Sequence, residues 1–135
     1  MLEIHGTLVR RTLGLDAQSG LTSYPAIADA LESALADPTV EGIFLDVDSA
    51  GGEAGGVFDL VDRVYAARQL KPIWAIADDM AFSAAYAIAS AAERVWITRT
   101  GGVGSIGVIA LHVDQSLKDA EDGLKYTPIF AGSRK

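Results

Sequence analysis

The chain has 135 residues, half of them hydrophobic, with a net charge of −7 and no cysteine. One domain with a real core fits that length, and extended disorder does not fit that composition. The acidic balance argues against nucleic acid, whose phosphates need clustered Lys and Arg, and the missing thiols exclude disulfides and thiolate zinc sites.

Strand and helix signals alternate along the chain. Leu2 to Val9 is strand-like, and Gly14 to Gly20 is a polar loop. Ser23 can cap a helix with Pro25 in its first turn, and Ile27, Leu31 and Leu35 then share one face. Asp37-Pro38 ends that helix. The apolar run from Gly42 to Asp48 is a buried strand, and Ser49 to Gly52 a tight loop. Val57, Leu60, Val61, Val64 and Tyr65 mark a second helix. Ile73 to Ala77 is a strand; after Asp78 and Asp79, read as a solvated loop, comes Ser83, followed by small residues of helical character. Arg94 to Thr98 is a third core strand, Val108 to Val113 a fourth, Asp114 to Gly123 a short helix, and Tyr126 to Phe130 a last strand. The alternation implies a mostly parallel sheet covered by helices in a single α/β domain over residues 1–135, with no interdomain linker. No apolar run approaches the ~18 residues of a membrane span, and no signal peptide opens the chain. The start inside a strand suggests an excised piece, truncated at both ends.

Four segments are candidates for chemistry. Ser83 stands at a strand-to-helix turn, where hydrolases present a nucleophile and where serine also caps helices. Gly51 and Gly52 follow a buried strand and could expose N–H groups to a developing oxyanion, or simply form a turn. Gly102 to Gly107 matches G-x-G-x-x-G, but it does not open a helix and too little chain follows for a dinucleotide fold; the glycines are read as a close backbone turn. His112 and Asp114 offer a histidine-based triad with Ser83 as a rival mechanism.

Asp46-Val47-Asp48-Ser49-Ala50-Gly51-Gly52, Met80-Ala81-Phe82-Ser83-Ala84-Ala85-Tyr86 and Thr100-Gly101-Gly102-Val103-Gly104-Ser105-Ile106-Gly107-Val108 together resemble the signal peptide peptidase A family of serine peptidases. His5-Gly6-Thr7-Leu8, Ser19 to Tyr24 and Thr127 to Gly132 are similar to its phage branch, the minor capsid protein C or prohead peptidases. The resemblance covers the chain from about Ile4 to Lys135. It implies a Clp-protease/crotonase-like fold of repeated ββα units and a Ser–Lys dyad that needs no cofactor and no metal. Carried over, Ser83 is the nucleophile, Lys135 the general base, and Ser105 the serine that helps hold the lysine. The backbone N–H groups of Gly52 and Ala84 are the oxyanion donors. Ala50 stands where the family usually has proline, and Ala84-Ala85 where it often has two glycines; N–H donation survives both changes.

The implied partners are a peptide or protein substrate with small or apolar side chains near the cut, and further copies of the chain in a homo-oligomer. The implied setting is the phage prohead or bacterial cytoplasm, in capsid maturation or in signal-peptide degradation. A chain ending at Lys135 is expected to leave that lysine solvated and to be nearly inactive by itself. A crotonase-like acyl-CoA enzyme working through Asp46, Asp48, Asp78 and Asp79, and a non-catalytic capsid or assembly module on the same fold, are the alternatives.

Overall fold

Local signals account for the first helix. In the computed structural model, which describes residues 1–11 and 20–133, the Ser23 hydroxyl accepts the Ala26 N–H at 3.3 Å and Pro25 lies in the first turn. Helix α1 spans Tyr24–Ala36 and buries Ile27, Ala28 and Leu31. Before it come strands β1 (Leu2–Val9) and β2 (Leu21–Ser23). Lys71 Nζ donates to the carbonyls of Ala34 at 2.8 Å and Asp37 at 2.6 Å, meeting the open carbonyl end of α1.

The next elements are β3 (Ile43–Gly52), α2 (Val57–Ala67), β4 (Ile73–Phe82), α3 (Ala84–Ser90), β5 (Arg94–Ile97), β6 (Gly102–Gly104) and α4 (Ser116–Glu121). The sheet runs β2-β1-β3-β4-β5, with β6 paired to the far end of β4. Every strand pair among the described residues is parallel. This is the α/β architecture expected from the alternating pattern.

Helices α1, α2 and α3 pack on one face of the sheet. Ile43, Leu45 and Val47 of β3 and Ile73, Ala75 and Ala77 of β4 point into that core. Behind the end of β4 the packing is almost all alanine: Ala81, Ala84, Ala85 and Ala89 are each no more than 6% exposed. The other face carries Phe44, Trp74 and Trp96. Trp96 stacks on Phe44 at 6.3 Å and meets Trp74 edge-on at 5.6 Å.

Four expectations are corrected. Ser49 to Gly52 is not a loop; β3 continues through it, pairing Thr7 with Gly51 and Leu8 with Gly52. Asp78 and Asp79 likewise belong to β4. The Arg94 strand is no core strand, because it lies at the sheet edge and all four of its residues are exposed. Val108 to Val113 and Tyr126 to Phe130 form no strand: a strand needs a partner, and none of the described residues pairs with either segment. Their apolar side chains stand open, Ile109 and Ile129 at 97% exposure each. The loop read over Gly14 to Gly20 lies, apart from Gly20, outside the described residues.

Candidate active site

Strand β4 ends at Phe82 and α3 begins at Ala84, so Ser83 alone makes the turn. It does so at φ 52°, ψ −121°, a backbone conformation that costs a residue with a Cβ of order 1–3 kcal/mol. The Ser83 side chain caps nothing. Ser83 thus occupies the N-cap position of α3 without the side-chain capping bond, which Ser23 does supply at α1. The backbone of Ser83 is firmly held: its N–H donates to Gly104 O at 2.8 Å, and its carbonyl accepts the Ala87 N–H at 3.0 Å. The turn thus presents a half-buried hydroxyl with no hydrogen-bond partner among the described residues, at the end of a core strand.

Two neighbouring segments converge on it. From one side comes the end of β3. Gly51 is buried at φ +99°, and a Cβ there would lie 2.7 Å from Ser83 Cβ, 2.8 Å from Phe82 O and 3.1 Å from Ala84 N. Only hydrogen fits at that contact. Gly51 gives its own N–H to Ser49 Oγ at 3.1 Å. Gly52 follows, exposed, with its Cα pressed on the Leu8 backbone. The left-handed positions of this region fall on Gly51 and Ser83, and Ala50, Ala84 and Ala85 are spared them. The exchange of glycine for alanine at 84 and 85 is therefore sterically free. Gly51→Ala is expected to destabilise the fold by about 2–4 kcal/mol, because strain and overlap with backbone act together. A denaturant titration showing a loss below about 0.5 kcal/mol, the usual range of neutral surface changes, would contradict this close approach.

From the other side comes β6. Its register with β4 pairs Met80 with Gly102, Ala81 with Val103 and Phe82 with Gly104. Ser105 is the next residue, one step past that last pair, exposed and also left-handed at φ 53°. Ser83 and Ser105 thus follow paired strand ends. They are the two non-glycine residues with positive φ among those described.

Beyond Gly52, Glu53 is fastened three ways. Its N–H donates to Leu8 O at 2.9 Å, its Oε2 accepts the Arg10 N–H at 2.6 Å, and its carbonyl accepts the Tyr24 hydroxyl. Burial, and secondly the Glu53 carboxylate, push the Tyr24 phenol up to about 12, so it stays a donor at neutral pH. Sequence reasoning missed both Tyr24 and Ser49 as parts of this frame.

The structure brings Ser83, Ala84, Gly51, Gly52 and Ser105 into one region. Lys135 lies outside the described residues. His112 is exposed, and among the described residues no hydrogen bond joins it to Ser83 or Asp114. The Asp114 carboxylate instead accepts the Ser116 N–H at 2.9 Å; that bond, with the Ser116 side chain second, holds it below the usual carboxylate value. Among the described residues no cluster of His, Asp and Glu could hold a metal ion, and no helix is long and apolar enough to cross a membrane.

The model of Peptidase family S49 matches residues 66–133, which include Ser83 and Ser105. Over its full length the chain is 44% identical to the head-tail preconnector protein GP5 of Enterobacteria phage P21, covering 27% of that protein. It is 43% identical to the capsid assembly protease C of Escherichia phage lambda, again over its full length, covering 31% of that protein. The chain thus spans less than a third of either relative. A crystal structure of an enoyl-CoA hydratase/isomerase family member superposes with a TM-score of 0.52 at 18% identity, over 77% of this chain and 43% of that one. That likeness places the chain in the crotonase-like class of α/β folds.

Proposed function

The chain belongs to peptidase family S49, and from that premise we propose that it is the nucleophile-bearing part of a serine endopeptidase acting in phage capsid maturation. The observation that carries the reading is the Ser83 turn: a serine at φ 52° whose hydroxyl caps nothing, with its backbone tied to β6 and Gly51 packed against it. A structural cap has no need of that conformation, whereas a presented nucleophile does.

In this reading Ser83 Oγ attacks the scissile carbonyl and forms an acyl-enzyme. Lys135, as a neutral amine, takes the hydroxyl proton and later returns it to the leaving amine. Ser105, next to the Ser83 turn through the β4–β6 register, steadies the lysine. The oxyanion is met by the N–H groups of Ala84 and Gly52. The bond between Gly51 N–H and Ser49 supports Gly52 as the donor of its loop, since Gly51 is already engaged. Water then resolves the acyl-enzyme. The chemistry is complete without a cofactor. Small residues at 51, 52, 84 and 85 beside Phe82 and Tyr86 suit an extended peptide with small or apolar side chains near the cut. The prohead is the proposed setting, supported by the phage relatives; ring-like homo-oligomers are carried over from the family resemblance alone.

A fluorophosphonate probe tests the reading directly. Applied to the full-length protein at pH 8, it is expected to modify Ser83 and no other serine, as mapped by mass spectrometry. A peptide-hydrolysing preparation in which Ser83 stays unmodified would overturn the assignment. A folded preparation that neither hydrolyses peptides nor reacts with the probe would favour the assembly-module alternative.

A further inference from the structure

The β1–β3 ladder slips where the proposed oxyanion segment begins. His5 pairs with Asp48 and Thr7 with Gly51, so two steps along β1 face three along β3. The β3–β4 ladder slips at the same place: Val47 pairs with Ala77 and Ser49 with Ala81, two steps against four. Such bulges break the regular backbone pairing and re-aim the chain. Buried backbone groups freed in this way need new partners.

Ser49 supplies them. It is 1% exposed, the most deeply buried polar residue among those described. Its Oγ–H donates to Gly6 O at 2.6 Å, and its Oγ accepts the Gly51 N–H at 3.1 Å. One hydroxyl therefore uses both its donor and its acceptor capacity across the bulge. Gly6 and Gly51 are both left-handed, at φ +73° and +99°. Gly51, whose N–H Ser49 holds, is the residue on which a Cβ would run into the Ser83 turn.

We propose that Ser49 is a positioning residue for catalysis: its hydroxyl locks the Gly51 peptide across the bulge and thereby aims the Gly52 N–H at the oxyanion. The proposal rests on the reading of Gly52 as a donor. Without the hydroxyl, the Gly51 N–H loses its side-chain partner, and the segment is held by the ladder pairs of Gly51 with Thr7 and Gly52 with Leu8 alone. Gly52 N–H then moves off the point where negative charge develops. A misplacement of this kind costs rate without touching the groups that bind the ground state.

Ser49→Ala in the full-length protein is expected to lower kcat about 10- to 100-fold, up to the effect of a misalignment and below that of losing a donor outright. KM should stay within about threefold, since uniform binding is untouched. Affinity for a peptide aldehyde, whose serine adduct carries the same oxygen, should fall by the same factor as kcat/KM. Ser23→Ala is the control: it removes another buried hydroxyl that holds a backbone N–H, at α1 and outside the site. It should lower the melting temperature and leave kcat unchanged. Should Ser49→Ala fail to fold, Ser49→Cys keeps the branching with a somewhat larger atom and weakens both bonds, and is read in the same way. A folded Ser49 variant with kcat and aldehyde affinity within threefold of the parent, or one in which only KM changes, overturns the proposal. Ser83→Ala in the same assay separates the two failures: if it retains activity, the underlying reading falls as well, and if it is silent beside an unimpaired Ser49 variant, the positioning claim falls alone.

Discussion

Ser83→Ala is expected to lower peptide hydrolysis by about 10⁴- to 10⁶-fold, the scale on which removal of a catalytic serine acts. The substitution deletes the atom that would form the acyl-enzyme and changes little else. The hydroxyl holds no cap, so no structural hydrogen bond is lost. Alanine meets the same φ restriction as serine, so the strain of the turn is also unchanged. The variant should accordingly melt within about 1–2 °C of the parent, a shift corresponding to a few tenths of a kcal/mol in a domain of this size. It should bind substrate with unaltered affinity. Stopped assays with an internally quenched peptide measure the first quantity and calorimetry the second. Activity within tenfold of the parent would mean that another group attacks the peptide bond.

Lys135→Ala is expected to cost nearly as much, because members of a catalytic unit fail together. Lys135 lies outside the described residues, and its role is carried by the family resemblance. A lysine serves as base only as the neutral amine, and an ordinary lysine loses its proton near ~10.4; desolvation in the assembled enzyme is what would bring that value down. The sign follows: hydrolysis should rise with pH between 6 and 9, approaching tenfold per unit on the acid side, as the neutral fraction grows. Lys135→Arg should not rescue the loss, since a guanidinium stays charged. His112→Ala should leave the profile in place. A flat profile over that range, or a loss confined to His112→Ala, would transfer the base role away from Lys135.

Elements fixed by neighbouring residues were legible. Ser23 and Pro25 announced α1, and the spacing from Val57 to Tyr65 announced α2. Strands were legible as apolar runs but not by position, since nothing within Arg94-Val95-Trp96-Ile97 distinguishes an edge from a centre. Val108 to Val113 has the residue types of a strand, yet a strand is completed by a partner remote in sequence. The two glycines at 51 and 52 suggested a loop, because the bulge that lets β3 continue through them depends on Gly6, far off in the chain. The site was half legible. Serine does not advertise a positive φ as glycine does, so Ser83 read locally as a cap, and its catalytic reading came from the family pattern. Ser49 gave no signal at all: its burial and both its partners arise from the slip between two strands.

The alanine wall behind Ser83 limits the directions in which this region can drift. Ala75, Ala77, Ala81, Ala84, Ala85 and Ala89 leave almost nothing to trim, since each has a single methyl to lose. Nearly every substitution there adds volume instead, into an interior with no slack. The added atoms must push α3 away from the sheet, and α3 begins at the residue after the serine. Random change in this wall would therefore register as a displaced Ser83 before it registered as an unfolded chain. Mutational tolerance should be lowest along this seam and recover within a few residues on the exposed side of the helix, so that a map of permitted side-chain size would trace the helix–sheet contact as a narrow intolerant stripe.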